Sequence, residues 1–193
     1  MSDCLRLFIA IALPEEVRQR VAAFQREWQT GARGDFIRWT PVEQIHLTLR
    51  FLGDIPAVAV QEVETALRRA CHGVKGFDLT VDGCGGFPDA RQPRVLWVGV
   101  GGAIETVVQL QERVADETKE WGEIEPRPFR AHLTLGRVKA APPAVLREIS
   151  RRLTTQPCGR LGSWRVSEVR LMRSELSPTG ARHTELCGVA LGG

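Results

Sequence analysis

Two tetrapeptides in this sequence are identical: His46-Leu47-Thr48-Leu49 and His132-Leu133-Thr134-Leu135, 86 residues apart. Together they use two of the four histidines in the chain. Imidazole titrates near neutrality, so each histidine can give or take a proton at ordinary pH. Each threonine hydroxyl can donate a hydrogen bond to an anionic oxygen. Two such pairs facing each other would suit in-line displacement at phosphorus. One imidazole would deprotonate the attacking oxygen, and the opposite one would protonate the leaving oxygen. The hydroxyls would hold the non-bridging oxygens. No carboxylate stands beside either histidine, and imidazoles this far apart in sequence are not a usual divalent-cation set. We therefore expect no metal and no cofactor. A single His-Leu-Thr-Leu would be an ordinary half-buried strand histidine; the second copy in a corresponding place gives the pattern its weight.

The elements that carry the two motifs follow from periodicity. In each tetrapeptide His and Thr alternate with Leu, so in a strand both leucines face one side and His and Thr the other. Residues 5–13 read as a buried strand stopped by Pro14, and 15–28 as a helix with Val17, Val21, Phe24 and Trp28 on one stripe. Gly31 and Gly34 break that pattern, and a short segment at 36–39 leads to a strand at 46–52. A loop with Gly53, Asp54 and Pro56, a helix at 58–70 and a strand at 77–81 follow. Residues 83–94, rich in Gly, Pro and Arg, read as a long loop. Beyond it come a strand at 95–100, a helix at 104–121, a loop at 123–130 and a strand at 132–137. A helix opened by Pro142 and Pro143, a strand at 164–172, a turn at 177–180 and a strand at 186–191 complete the chain. The order strand, helix, strand, helix, strand thus occurs twice. A repeat of this length points to two duplicated lobes packed together rather than a solenoid.

Composition sets outer limits. The chain has 193 residues, 43% hydrophobic and 25% charged, the balance of a globular domain. Net charge is only +3, but 23 of the 26 basic residues are Arg, whose donor fork suits phosphate. Five widely spaced cysteines form neither a disulfide framework nor a zinc knuckle, and they read as buried thiols of a reduced cytoplasm. No run reaches membrane-spanning length, and the first apolar run is too short for a secretion signal. We expect a cytoplasmic, monomeric protein without a membrane partner.

The flanks of the motifs carry a resemblance. The chain resembles the bacterial and archaeal RNA 2′,3′-cyclic phosphodiesterases, formerly called 2′-5′ RNA ligases, of the two-histidine phosphoesterase superfamily. The matching residues are Arg6-Leu7-Phe8-Ile9-Ala10-Ile11 with Leu13-Pro14, and His46-Leu47-Thr48-Leu49-Arg50-Phe51-Leu52-Gly53. They continue with Pro128-Phe129, His132-Leu133-Thr134-Leu135-Gly136-Arg137 and Ser174-Glu175-Leu176-Ser177-Pro178-Thr179-Gly180. The resemblance implies an α+β bilobal duplicated fold, with two antiparallel sheets lining a central cleft and helices on the outer faces. Residues 1–193 would form one catalytic domain of two pseudo-symmetric, intertwined lobes, one carrying the His46 motif and one the His132 motif.

The implied reaction is metal-independent hydrolysis of RNA 2′,3′-cyclic phosphate ends to 2′-phosphomonoesters. The substrates would be such RNA 3′ ends, tRNA halves or small cyclic nucleotides. His46 would be the general acid and His132 the general base. Thr48, Thr134 and Arg137 would bind phosphate. Phe51 matches a position that stacks on the terminal base, while as a strand residue it suits a core equally well. Arg130 stands one residue ahead of Ala131 where proline before the histidine is common; it either reaches the RNA backbone or faces water. His183 occupies a place where tyrosine is more usual and, like His72, reads as a surface or interlobe residue. Trp39 and Trp97 read as core in preference to walls of the cleft, and Gly83, Gly85 and Gly86 as flexible loop rather than phosphate cradle. Reverse 2′-5′ ligation in the same groove, and an RNA-end binding module without turnover, are the competing functions.

Overall fold

The computed structural model describes residues 3–30, 34–122, 127–177 and 180–192. Its elements are β1 (Cys4–Ala12), α1 (Glu15–Gln29), β2 (Ile37–Trp39), β3 (His46–Pro56) and α2 (Val60–Cys71), then β4 (Phe77–Phe87) and β5 (Val95–Gly102). They continue as α3 (Ile104–Glu117), β6 (His132–Val138), α4 (Pro143–Thr155), β7 (Gly162–Val166), β8 (Glu168–Ser177) and β9 (Gly180–Ala190). Pro14 fixes the extended entry to α1, and Glu15 and Glu16 in its first turn oppose the helix dipole. Gly31, residues 123–126, and Pro178 and Thr179 of the expected turn and tail motif lie outside the described residues.

The strands form one curled antiparallel sheet in the order β7-β4-β5-β6-β3-β1-β8-β9, with β2 paired to the far end of β6. The sheet has two halves. β3, β1, β8 and β9 make the first, and β6, β5, β4 and β7 the second. The two expected sheets are these halves, and a single rung, Leu47 opposite Leu133, joins them. Beyond that rung β3 and β6 part, and β2 enters the notch, with Arg38 opposite Arg137.

Each repeat sends elements into the other's half. β1 belongs to the first half, but the helix that follows it, α1, packs on β7 of the second. β5 belongs to the second half, but its helix α3 packs on β3 and against α2 in the first. Arg152 of α4 ties the second pair of helices together. Its guanidinium donates to the carbonyls of Glu27 and Trp28 in α1 and lies 4.5 Å over the Trp28 ring. The core lies between the sheet and these helices. Leu7, Ile9, Leu47, Leu133 and Leu171 fill it from the strands, and Val21, Leu67 and Leu110 from the helices.

Three expectations need correction. The glycine-rich stretch after residue 83 is not all loop, because β4 runs to Phe87. Glycine is needed there for space: a Cβ on Gly85 would come within 2.3 Å of the Trp97 ring, and one on Gly86 within 2.5 Å of Pro93. The expected strand at 164–172 is two strands broken at Ser167, and the pieces join opposite ends of the sheet, β7 on β4 and β8 on β1. Residues 53–56 continue β3, so Asp54 lies in register opposite Arg6 instead of in a loop. All five cysteines are free; Cys4 is exposed, and burial pushes the thiol of Cys71 up to about 11 and that of Cys158 up to about 12.

Candidate active site

The motif strands run antiparallel about the Leu47–Leu133 rung. That sense sets His46 abreast of Thr134 and Thr48 abreast of His132, so the histidines occupy diagonal corners. Leu47, Leu49, Leu133 and Leu135 are buried toward the helices, while both histidines and both threonines are half-buried on the opposite, helix-free face. Neither threonine hydroxyl has a hydrogen-bond partner among the described residues, so both remain free to donate.

A matching irregularity follows each motif. Ile9 pairs with Arg50 and Ala10 with Thr48, which leaves Leu49 as an extra residue in β3. Leu96 pairs with Gly136 and Trp97 with Thr134, which leaves Leu135 extra in β6. Strict alternation would put Phe51 and Arg137 on the leucine face. The bulges carry them to the histidine face instead. Phe51 is 63% exposed, with its ring 5.9 Å from that of Phe8, so the core reading fails for it. Arg137 is exposed and acts electrostatically on His132. Arg130 is exposed on the approach to His132.

The two imidazoles are held alike. His46 Nδ1 lies 2.7 Å from the carbonyl of Gln44, and His132 Nδ1 lies 2.6 Å from that of Arg130. A carbonyl only accepts, so Nδ1 carries the proton in both rings and Nε2 is the atom free to exchange one. Gln44 also donates from its side chain to the Ala181 carbonyl, which clamps this turn to β9. Burial pushes the His46 pKa down from 6.5 to about 4; its carbonyl bond opposes the shift, and His183 adds to it. Burial also lowers His132, again opposed by its carbonyl bond and reinforced by the charge of Arg137. Both rings are therefore neutral at pH 7.

Several residues of this face were not singled out by spacing. Phe8 stacks on His46 at 4.7 Å between ring centres, and His183 stands 5.4 Å from His46 and 4.8 Å from Phe8. His183 is thus a third imidazole at the site, which corrects its reading as a surface or interlobe residue. Its Nδ1 is buried without a partner, and burial lowers its pKa. Phe87 meets His132 edge-on at 4.9 Å, and Trp97 lies on Phe87 at 5.4 Å. Trp97 therefore walls this face beside Thr134 instead of filling the core. Its large ring over Gly85 was the signal available in the sequence, but only once the two strands are known to pair. Among the described residues no group of three or more His, Cys, Asp or Glu gathers as a metal site.

A two-fold repeated sheet with paired, identically wired histidines defines a two-histidine phosphoesterase. The family model described as LigT-like phosphoesterase matches the chain twice in succession, over residues 11–97 and 98–183, and the chain belongs to that family. It is 32% identical over 182 residues to the RNA 2′,3′-cyclic phosphodiesterase of Methanothermobacter thermautotrophicus, covering 94% of this chain and 96% of that one. The crystal structure of TT0787 from Thermus thermophilus superposes with a TM-score of 0.79 at 31% identity, over 97% of this chain and 98% of that one. LigT of Escherichia coli, solved with 3′-AMP, gives 0.78 at 28% identity, over 98% and 99%.

Proposed function

We propose that this enzyme is an RNA 2′,3′-cyclic phosphodiesterase that opens the cyclic ester to a 2′-phosphomonoester, with its two histidines as acid and base. The observation that carries this reading is the shared wiring of His46 and His132. Each ring is pinned by Nδ1 to a main-chain carbonyl and keeps Nε2 for proton exchange on one face. That the E. coli relative was solved in complex with 3′-AMP supports a nucleotide phosphate as the class of ligand.

The cyclic phosphate enters as an anion and raises the pKa of both imidazoles. Thr48 and Thr134 donate to its non-bridging oxygens, and Arg137 adds a positive charge. His132 Nε2 takes a proton from water as the water oxygen bonds to phosphorus. The phosphorus–O3′ bond breaks on the opposite side, and protonated His46 gives its Nε2 proton to O3′. Water is consumed, and the products are a 2′-phosphate and a free 3′-hydroxyl. Solvent then returns both rings to their starting charge. Phe51 supplies a stacking surface for the terminal base, and Arg130 borders the approach.

The test uses a defined oligoribonucleotide ending in a 2′,3′-cyclic phosphate, with EDTA present. A 2′-phosphate product, lost in both His46→Ala and His132→Ala, is expected. A 3′-phosphate product, or turnover unchanged in either variant, would reject the assigned roles.

A further inference from the structure

The notch beside β6 carries a second feature. In the short β2–β6 ladder Arg38 lies directly opposite Arg137. Opposite residues of an antiparallel pair share a face, so both side chains leave the sheet on the histidine side. Both are exposed. Neither has an ion pair or a side-chain hydrogen bond among the described residues. Like charges directly across a ladder destabilise it, so two facing guanidiniums without a carboxylate call for an outside anion. The contrast on the same face is Arg170, which is neutralised by Glu168 at 2.6 Å and Glu185 at 3.0 Å.

Position narrows the anion. Arg137 stands three residues beyond Thr134 on β6, next to the place proposed for the reacting phosphate, and Arg38 is one strand further out. An RNA chain that puts its 3′-terminal phosphate between the histidines can extend only in the 5′ direction. Its next charge is the phosphodiester one nucleotide away. We infer that Arg38, flanking the Arg137 that serves the reacting phosphate, forms a second anion subsite for that internucleotide phosphodiester, so that an oligoribonucleotide end is favoured over the free cyclic mononucleotide. This rests on the proposed function for the direction of the chain. The guanidinium fork bonds two phosphate oxygens, and its charge replaces condensed counterions.

The experiment compares kcat/KM for a nucleoside 2′,3′-cyclic phosphate with that for a dinucleotide bearing the same end. In the parent the dinucleotide should be favoured by about tenfold. In Arg38→Gln that ratio should fall to near one, with Arg38→Lys between the two. The salt dependence of kcat/KM for the dinucleotide should lose about one unit of slope in the Gln variant. A ratio unchanged by Arg38→Gln, or no preference in the parent, overturns the subsite. Equilibrium binding of a fluorescent oligoribonucleotide with a 2′-phosphate end runs in parallel and does not depend on turnover. Binding weakened by Arg38→Gln in an enzyme that hydrolyses neither substrate would keep the subsite and sink the catalytic reading; binding that Arg38→Gln leaves unchanged counts against the subsite.

Discussion

Four residues past the joining rung, the first half of the sheet presents Phe51 and the second presents Arg137. The same bulge delivers both to the histidine face, so one backbone device has been given an aromatic surface in one half and a cation in the other. The residue just before diverges as well. Arg50 turns to the helix side and donates to the carbonyls of Ala115, Thr118 and Trp121, where α3 ends. Its counterpart Gly136 has no side chain, and a Cβ there would come within 2.8 Å of Ile37 and 3.0 Å of the Arg38 carbonyl. The lateral neighbours of the threonines differ too. Ala10 and then Arg170 lie beside Thr48, whereas Trp97 and then Gly85 lie beside Thr134. Both halves keep the His-x-Thr pair and its ring-to-carbonyl bond, the groups that the proposed reaction uses on both sides of phosphorus. The flanks diverge, as an asymmetric substrate would require under that proposal.

The histidines should resist that division. His46→Ala and His132→Ala should each lower kcat by about 10³, with the double variant little worse than either single one. Circular dichroism checks that the fold persists; a loss confined to one variant would break the equivalence. Thr48→Val and Thr134→Val should each cost about 10² in kcat, since each removes one donor to the phosphate oxygens. The flanks should then separate. Phe51→Ala should raise KM about tenfold with kcat little changed, the loss of one stacking platform. Arg137→Gln should lower kcat as well, and steady-state kinetics on one oligonucleotide distinguishes the two.

Stability differences come next. Arg50→Ala should cost about 2 kcal/mol by leaving the carbonyls at the end of α3 unpaired. Gly136→Ala should cost about 1–3 kcal/mol through overpacking against β2. Urea titration measures both. The smallest effect concerns His183. Replacing it with Gln should move the His46 titration upward, because a neighbouring charge that opposes protonation is removed, and NMR of the ring carbons reads this directly. The associated linkage has a definite sign. His46 is held below its ordinary 6.5, so the stability from its neutral form is complete above that pH and is lost as pH falls toward about 4.

Much of this was legible in the chain. Identical tetrapeptides with period-two polarity placed four groups on one face of two strands, and the repeat of elements placed the strands in matching halves. Three things were not legible, each for a physical reason. A bulge leaves no mark in Leu49 or Leu135, which look like ordinary alternating leucines, so the side taken by Phe51 and Arg137 followed only from the register. Phe8, His183 and Trp97 reach the histidines through strand order, and His183 lies 137 residues beyond His46 in the chain. The glycines of β4 signalled a loop by propensity, whereas Gly85 makes room for the Trp97 ring, Gly86 for Pro93, and Gly83 takes a positive φ at a bulge.

The rung between Leu47 and Leu133 also sets the outline of the site. The histidines stand one residue from it, and Phe51 and Arg137 stand four. It is the only backbone pairing between β3 and β6 in the described residues, and the two strands run in opposite directions through it. Phe51 and Arg137 therefore stand at opposite ends of the seam, with the two histidines between them. The site is a line with an aromatic end and a cationic end, and a molecule lying along it meets the two in a fixed order.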